Sequence, residues 1–296
     1  MKCGFVSLVG RPNVGKSTLL NSLIGMKLAI TSDVSGTTRN VIQGIYNDSD
    51  SQIVFVDTPG IHKPNHKLGA LMNQKAYSVT EGVDIVLFLV DVTKEFGRGD
   101  QFVLDRIKHK GTKVFLLLNK IDQEKNKEKL LDKIQKLKDL YDFQEIIPIS
   151  AKNKDNIDVL VSCIKKYLPE QDFIYSQEEL TNVSTRFLMA EFVREKILEL
   201  THDEVPHTVT CYVENYEEDE NVVHIQVLIV VDRDNLKKII IGRRGELLKE
   251  IGTRARYDME KFLGKKVYLE TYVKSLKNWR DQEKYFSSLG LKDDIE

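Results

Sequence analysis

The run Gly10-Arg11-Pro12-Asn13-Val14-Gly15-Lys16-Ser17 constrains this chain more than any other stretch. It follows a short apolar run, Gly4 to Val9, and precedes Thr18 and Leu19, where a helix is predicted to begin. A glycine-bracketed loop between strand and helix turns its backbone N–H groups inward. The nest they form suits phosphate oxygens, and the positive end of the helix dipole reinforces it. At this spacing Lys16 can bridge terminal phosphates and the Ser17 hydroxyl can coordinate Mg²⁺, with Gly10, Asn13, Val14, Gly15 and Thr18 completing the cradle.

Such a loop belongs to an α/β fold, and the first half of the sequence reads as one. Strand-sized apolar runs recur at Ile53 to Asp57, Asp84 to Asp91, Lys113 to Asn119 and Ile146 to Ser150. They are nearly continuous in apolar residues, as strands covered on both faces are. Helical stretches lie between them, such as Glu124 to Tyr141 with Leu130, Ile134 and Leu137 on one face. This alternation predicts a mostly parallel sheet wrapped by helices, with ligands at the carboxyl ends of the strands.

The ends of those strands carry the remaining chemistry. Asn119-Lys120-Ile121-Asp122 puts a carboxylate where it can accept hydrogen bonds from both N1–H and the exocyclic amine of guanine. Adenine lacks that donor pair and would leave the carboxylate unsatisfied. Asn119 can contact the base or tie its loop to the phosphate loop, and the Lys120 stem can cover the base plane. Asp57-Thr58-Pro59-Gly60 supplies a carboxylate suited to Mg²⁺ through water and, in Gly60, an N–H for the γ-phosphate. Gly36-Thr37-Thr38-Arg39 lies in a polar loop whose threonine can reach Mg²⁺ and γ-phosphate only while a triphosphate is bound. Ser150-Ala151-Lys152 suits contact with the guanine oxygen through a backbone N–H.

The texture changes after Leu168 and Pro169. Residues 171–183 are polar and acidic and read as a linker between a first domain, 1–170, and a second, 184–296, that ends in a tail. The second half gives a helix from Phe187 to Leu200, two β-branched runs (Thr208 to Glu214 and Val222 to Asp232) around the acidic turn Glu217 to Asn221, a glycine loop, a helix to about Leu263 and a strand from Lys265 to Lys274. The glycine loop is Ile241-Gly242-Arg243-Arg244-Gly245. Its glycines admit a nucleic-acid backbone and its two arginines suit phosphate. The chain's net charge of −1 hides a local excess: Arg233 to Arg280 holds 14 Lys and Arg against 6 Asp and Glu. Tyr257, Tyr268 and Trp279 are candidates for stacking on bases, or for core packing.

Other function classes find little support. Three scattered cysteines, Cys3, Cys163 and Cys211, offer neither zinc spacing nor a disulfide pattern and fit a reducing compartment. Among the histidines only His62 and His66 stand four apart, beside Pro64 and outside a clear helix. The N-terminal apolar run is too short for a signal peptide, and no stretch approaches the roughly 20 apolar residues that span a bilayer. The chain reads as soluble, with contact at a membrane surface still open.

These loops in this order resemble the translation-factor-like GTPases, and with the C-terminal glycine loop the whole chain resembles the Era family. The resemblance implies a P-loop GTPase domain followed by a smaller α+β type II KH domain. It implies binding of GTP and GDP with Mg²⁺, Thr38 rather than Thr37 as the ligand to Mg²⁺ and γ-phosphate, and Lys16, Thr38 and Gly60 at the hydrolytic centre. It also implies binding to the 3′ end of 16S ribosomal RNA, assistance to 30S subunit assembly, and a cytoplasmic monomer with peripheral contact at the inner membrane face. The order read here lacks a break between the two helices after Gly242. The residue after Gly60 is Ile61, which cannot orient water as the glutamine of Ras-like proteins does. Related potassium-activated GTPases hold K⁺ with an asparagine at the position of Asn13, which implies the same here; a local backbone role for Asn13 is the alternative. A competing reading makes the second domain a protein-binding module that serves a cell-cycle or membrane partner.

Overall fold

The computed structural model describes residues 1–34, 36–61, 66–79, 82–108 and 111–288, so His62 of the histidine pair and the last residues of the tail lie outside the described part. By packing, the chain divides into two units. The first comprises Met1–Ala29, Thr38–Lys63 and Leu71–Asn182, and the second Ile30–Thr37, Pro64–Ala70 and Val183–Glu296.

The first unit is built from β1 (Lys2–Gly10), α1 (Lys16–Ile24), β2 (Ile42–Asn47), β3 (Ser51–Asp57), α2 (Lys67–Val79, its first turn counted with the second unit), β4 (Ile85–Asp91), α3 (Arg98–Ile107), β5 (Lys113–Asn119), α4 (Lys127–Lys138), β6 (Glu145–Ile149) and α5 (Ile157–Tyr167). The sheet order is β2-β3-β1-β4-β5-β6, parallel throughout except for β2, which runs antiparallel to β3. Every residue of β3 and β4 is buried, which explains the apolar runs Ile53 to Val56 and Ile85 to Val90 within them. Strand β2 gave no such run, because it sits at the edge and is only partly covered. Its Gly44 lets α1 close in: a Cβ there would come within 2.7 Å of Ile24 and 2.8 Å of Leu20.

The acidic stretch expected as a linker is laid along the first unit. The Gln171 N–H donates to the Met1 carbonyl, and the N–H groups of Ile174 and Tyr175 both donate to Gln52 Oε1 at 2.8 and 2.9 Å. The Ile45 N–H donates to the Leu180 carbonyl, and the Thr181 hydroxyl to the Gln43 carbonyl at 2.6 Å. A polar segment thereby covers an edge that would otherwise present unpaired backbone groups.

The second unit contains α6 (Thr185–Leu200), α7 (Val205–Thr208), β7 (Thr210–Glu218), β8 (Val222–Val231), α8 (Asp234–Ile241), α9 (Glu246–Leu263), β9 (Lys266–Ser275) and α10 (Lys284–Ser288). The Ser184 hydroxyl caps α6 by accepting from the Phe187 N–H. Strands β7 and β8 form the expected hairpin, and β9 adds parallel to β8. Val223, Ile225, Val227, Ile229 and Val231 alternate along β8 and are fully buried with Leu188, Phe192, Ile251, Ala255 and Met259. The break between helices is present, and it falls at the glycine loop itself: α8 stops at Ile241, and α9 begins at Glu246. The sequence hid α8 because Ile239-Ile240-Ile241 is β-branched and reads as strand.

Of the two roles open to Trp279, stacking and core packing, the structure gives it the second. It is fully buried in a short 3₁₀ turn after β9, and its indole N–H donates to the Thr208 carbonyl at 2.8 Å. Its size, not its ring face, is what the fold uses. Trp279→Ala is expected to lower the stability of the second unit by about 3–5 kcal/mol, read from urea unfolding followed by circular dichroism. A change under 1 kcal/mol, by the same scale, would contradict this packing role.

Candidate nucleotide site and nucleic-acid loop

The loop between β1 and α1 takes its shape from two residues with positive φ, Asn13 at 65° and Gly15 at 99°. Gly10 cannot carry a side chain, since a Cβ would lie 2.7 Å from the Leu89 carbonyl oxygen. Lys16 is buried, and its ammonium donates to the carbonyls of Gly10 at 3.1 Å and Arg11 at 3.0 Å. Burial pulls its pKa down to about 8, and Asp57 acts against that shift. Arg11 is turned away to α3, where its guanidinium meets Asp100 at 3.0 Å.

Three oxygens gather at the first turn of α1. The Ser17 hydroxyl donates to Asp57 Oδ2 at 2.6 Å, so the Thr38 hydroxyl, 2.8 Å away, donates to Ser17. Asp57 is fully buried, and its Oδ1 has no hydrogen-bond partner among the described residues. Burial pushes its carboxyl up to about 6, against the pull of Lys16 and the Ser17 hydroxyl. Two hydroxyls and a carboxylate with an orphaned buried oxygen form a hard-oxygen set, which fits Mg²⁺. Thr37 does not join them. Its hydroxyl lies 2.7 Å from Ser32 and donates to the Val34 carbonyl at 2.6 Å.

Gly60 packs on the phosphate loop, where a Cβ would meet Pro12 at 2.9 Å. Ile61 points the other way. It is 2 % exposed and packs in the core with Val9, Ala76, Val86 and Val103, so no side chain from this position reaches the loop.

The base-reading corner is built at the ends of β5 and β6. Asn119 Nδ2 donates to the Val14 carbonyl at 2.8 Å, while its Oδ1 accepts from the Ala151 N–H at 3.0 Å. Of the two roles open to Asn119, the structure has it tie the loops together. The Ala151 N–H is thus engaged by Asn119. The Ser150 hydroxyl donates to Asp122 Oδ1 at 2.6 Å and also accepts from the Asn153 N–H. Lys120, at φ 71°, reaches Asp91 Oδ2 at 2.8 Å. Asp91 is a residue that the motif reading missed. Burial raises its carboxyl, but Lys120 and the Thr93 hydroxyl and N–H outweigh that and hold it below the usual range. Its only signal in the sequence was a charge ending an apolar strand, which any strand end can show.

In the second unit Gly242 (φ 72°), Arg244 (φ 53°) and Gly245 (φ 81°) turn the chain between α8 and α9. A Cβ on Gly242 would lie 2.7 Å from that of Leu247. Arg243 and Arg244 are both exposed, and Ile241 is half-buried at the loop's start. Beside the loop lies a cavity of about 450 Å³ lined by Leu248, Lys249, Thr253, Arg256, Leu269 and Thr271 among others. Apolar floor and cationic rim together suit single-stranded nucleic acid. Tyr257 and Tyr268 are exposed on α9 and β9.

Residues 5–120 match the family described as 50S ribosome-binding GTPase, and residues 204–280 match the KH domain. Two solved structures align over 98 % of this chain and 99 % of their own, at 40 % identity and a TM-score of 0.96. One is a point variant of Aquifex aeolicus Era bound to GDP and aluminium fluoride. The other is Era with MgGDPNP and nucleotides 1506–1542 of 16S ribosomal RNA. The chain belongs to the Era family.

As in Era, a P-loop GTPase fold with a mostly parallel sheet is followed by a C-terminal KH domain. What the Era family adds to the bare motifs is that both loops come from one chain of this length. Among the described residues no helix is long and apolar enough to cross a membrane.

The Ser150–Asp122 contact sets an expectation for guanine binding. Removing one hydrogen bond to a carboxylate costs about 1.4 kcal/mol or more. Ser150→Ala should therefore weaken GDP binding by about 10-fold in a titration with a fluorescent GDP analogue. Unchanged affinity would mean that Asp122 does not depend on Ser150 for its orientation.

Proposed function

We propose that this chain is a GTP-hydrolysing switch that binds the 3′ end of 16S ribosomal RNA through its KH domain and assists assembly of the 30S subunit. The observation that carries this reading is the whole-chain match to an Era that holds both MgGDPNP and 16S nucleotides 1506–1542. The description of the G-domain family names the 50S subunit, but it concerns residues 5–120 alone. The match that includes the KH domain favours the small subunit.

In this reading the domains are 1–170 for nucleotide, 171–183 as connection and 184–296 for RNA. Gly10, Asn13, Val14, Gly15, Lys16, Ser17 and Thr18 hold the phosphates, and Asp122, with Ser150, Ala151 and Lys152, reads guanine. Asn119 and Lys120 brace that corner. Ser17 and Thr38 would hold Mg²⁺ directly and Asp57 through water. The ion supplies neutralisation of charge on the β- and γ-phosphate oxygens. Lys16 exchanges its two carbonyl partners for phosphate oxygens, and the Gly60 N–H supports the γ-phosphate. With Ile61 committed to the core, the water-orienting group has to come from elsewhere, and Asn13 as a K⁺ ligand supplies one source of transition-state charge.

Peripheral contact with the inner membrane face and a monomeric, cytoplasmic state belong to the same reading. They are supported by the family resemblance alone. The exposed Arg243 and Arg244 beside the apolar cavity favour RNA over a protein partner for the KH domain.

Two measurements test this. Arg243→Ala with Arg244→Ala should weaken binding to an RNA of the 16S 3′ end by 10-fold or more. It should also flatten the log–log salt dependence by about 1.4, roughly 0.7 for each phosphate contact on a single strand. Unchanged RNA affinity would sink the RNA reading and favour the protein-partner one. GTP hydrolysis should be several-fold faster in K⁺ than in Na⁺ at matched ionic strength, and Asn13→Ala should erase the difference. Equal rates in the native protein reject the potassium site.

A further inference from the structure

Asp91 closes β4 and stands in register with Asn119 at the end of β5. Its side chain is 4 % exposed, and both carboxylate oxygens are engaged. Oδ1 accepts from the Thr93 N–H at 3.0 Å and from the Thr93 hydroxyl at 2.7 Å, while Oδ2 accepts from Lys120 Nζ at 2.8 Å. Lys94 Nζ lies 4.0 Å from the same oxygen, beyond hydrogen-bond reach, on a side chain that is mostly exposed.

The chain that follows Asp91 is fastened along its length within the first unit. The Val92 N–H donates to the Asn119 carbonyl at 3.0 Å. From α4, the Lys133 ammonium donates to the carbonyls of Val92 and Lys94. At the head of α3, Asp100 Oδ2 accepts from the Gly97 N–H and from Arg11 Nη1, each at 3.0 Å. Asp91 is therefore a fixed anchor and not a side chain on a free loop.

Lys120 has need of one. Its backbone stands at φ 71°, a left-handed conformation that a residue with a side chain seldom adopts unless its surroundings impose it. Its ammonium is carried on a flexible four-carbon stem, which loses much rotamer freedom when held in one place. Tying Nζ to a buried carboxylate leaves that stem a single path. Packing of the strand end alone would not require an ion pair, since apolar residues of similar volume commonly serve as well. The geometry points to Asp91 as a positioning residue for Lys120, and so as a group that sets how long a guanine nucleotide stays bound. It acts through the lysine stem. The inference rests on the reading of Lys120 as the residue whose stem covers the base plane.

The test compares four forms of the full chain: native, Asp91→Asn, Lys120→Met and the two substitutions together. Release of a fluorescent GDP and of a fluorescent GTP analogue is followed by stopped flow, with the urea midpoint measured alongside. Asparagine keeps the volume of aspartate, but its one oxygen cannot serve both Thr93 and Lys120. Asp91→Asn should speed GDP release roughly 10-fold, as expected when a hydrogen bond between charged partners is lost. The GTP analogue should leave faster by the same factor, because the two nucleotides present the same base. Association should stay within about 2-fold, since changes to one binding surface fall mostly on dissociation. Lys120→Met should also speed release, and adding Asp91→Asn to it should alter the rate by no more than about 2-fold, because the partner is already gone. If Asp91→Asn speeds release equally in both backgrounds, Asp91 acts by another route and the inference is overturned. If Lys120→Met speeds release and Asp91→Asn does not, the inference fails and the reading of Lys120 stands. If Lys120→Met leaves release unchanged, that reading fails and takes the inference with it. Faster release of GDP without faster release of the GTP analogue would place the effect at the phosphates and overturn the proposal. A lower urea midpoint with release unchanged would leave Asp91 a structural role only. Should Asp91→Asn not fold, Asp91→Glu decides: it keeps the charge but moves it by one methylene, and it must speed release only where Lys120 is present.

Discussion

The buried amide of Asn119 holds the nucleotide site in register. One end donates to the Val14 carbonyl and the other accepts from the Ala151 N–H, so three strand ends are fastened by one side chain. The room for it comes from Gly15, where a Cβ would sit 2.2 Å from Asn119 Nδ2. Loop geometry follows from that fastening. With Gly15 fixed at positive φ, α1 begins at Lys16, and Ser17 is presented to Asp57 and Thr38. A buried amide with both ends satisfied is rigid in a way that exposed loop residues are not. Preorganised donors of this kind let a phosphate bind without the loop having to order first.

Burial then loads the charges. Lys16 and Asp57 are both withdrawn from water, and each pKa moves toward neutrality, to about 8 and about 6. Neither group is desolvated for the sake of the fold alone. Apolar residues would serve stability as well, while a buried cation facing carbonyls and a carboxylate with an orphaned oxygen suit charged ligands. Ile61 shows the opposite choice: the residue that follows Gly60 is given over to the hydrophobic core.

How much of this was legible in the sequence depended on whether the signal was local. The phosphate loop, the Asp57 turn and the Asn119 to Asp122 run were readable because spacing alone places their backbone groups at strand ends. The two threonines were separable only by resemblance, and geometry is what sends Thr37 to Ser32 and Thr38 to Ser17. Strand β2 was missed because an edge strand that is only partly buried carries no continuous apolar run. Helix α8 was missed because three isoleucines in a row look like strand until packing against β8 and α9 decides otherwise. Trp279 was left open between stacking and core packing, and only burial decides that it fills the core. Asp91 acts on Lys120, distant in sequence, and no spacing rule reaches it.

The segment around Thr37 and Thr38 is where these threads meet. A loop that must respond to one phosphate cannot be held by strong apolar packing, or it would stay put in both states. It also cannot be left free, because ordering it would then cost the conformational entropy of several residues at each turnover. The arrangement here lies between those limits. At Thr38 the contact is polar, a hydroxyl on Ser17 beside Asp57, and it can be made or broken by itself. Contacts of that strength can be outweighed by the differential binding of a single charged group, which is the condition for a two-state element.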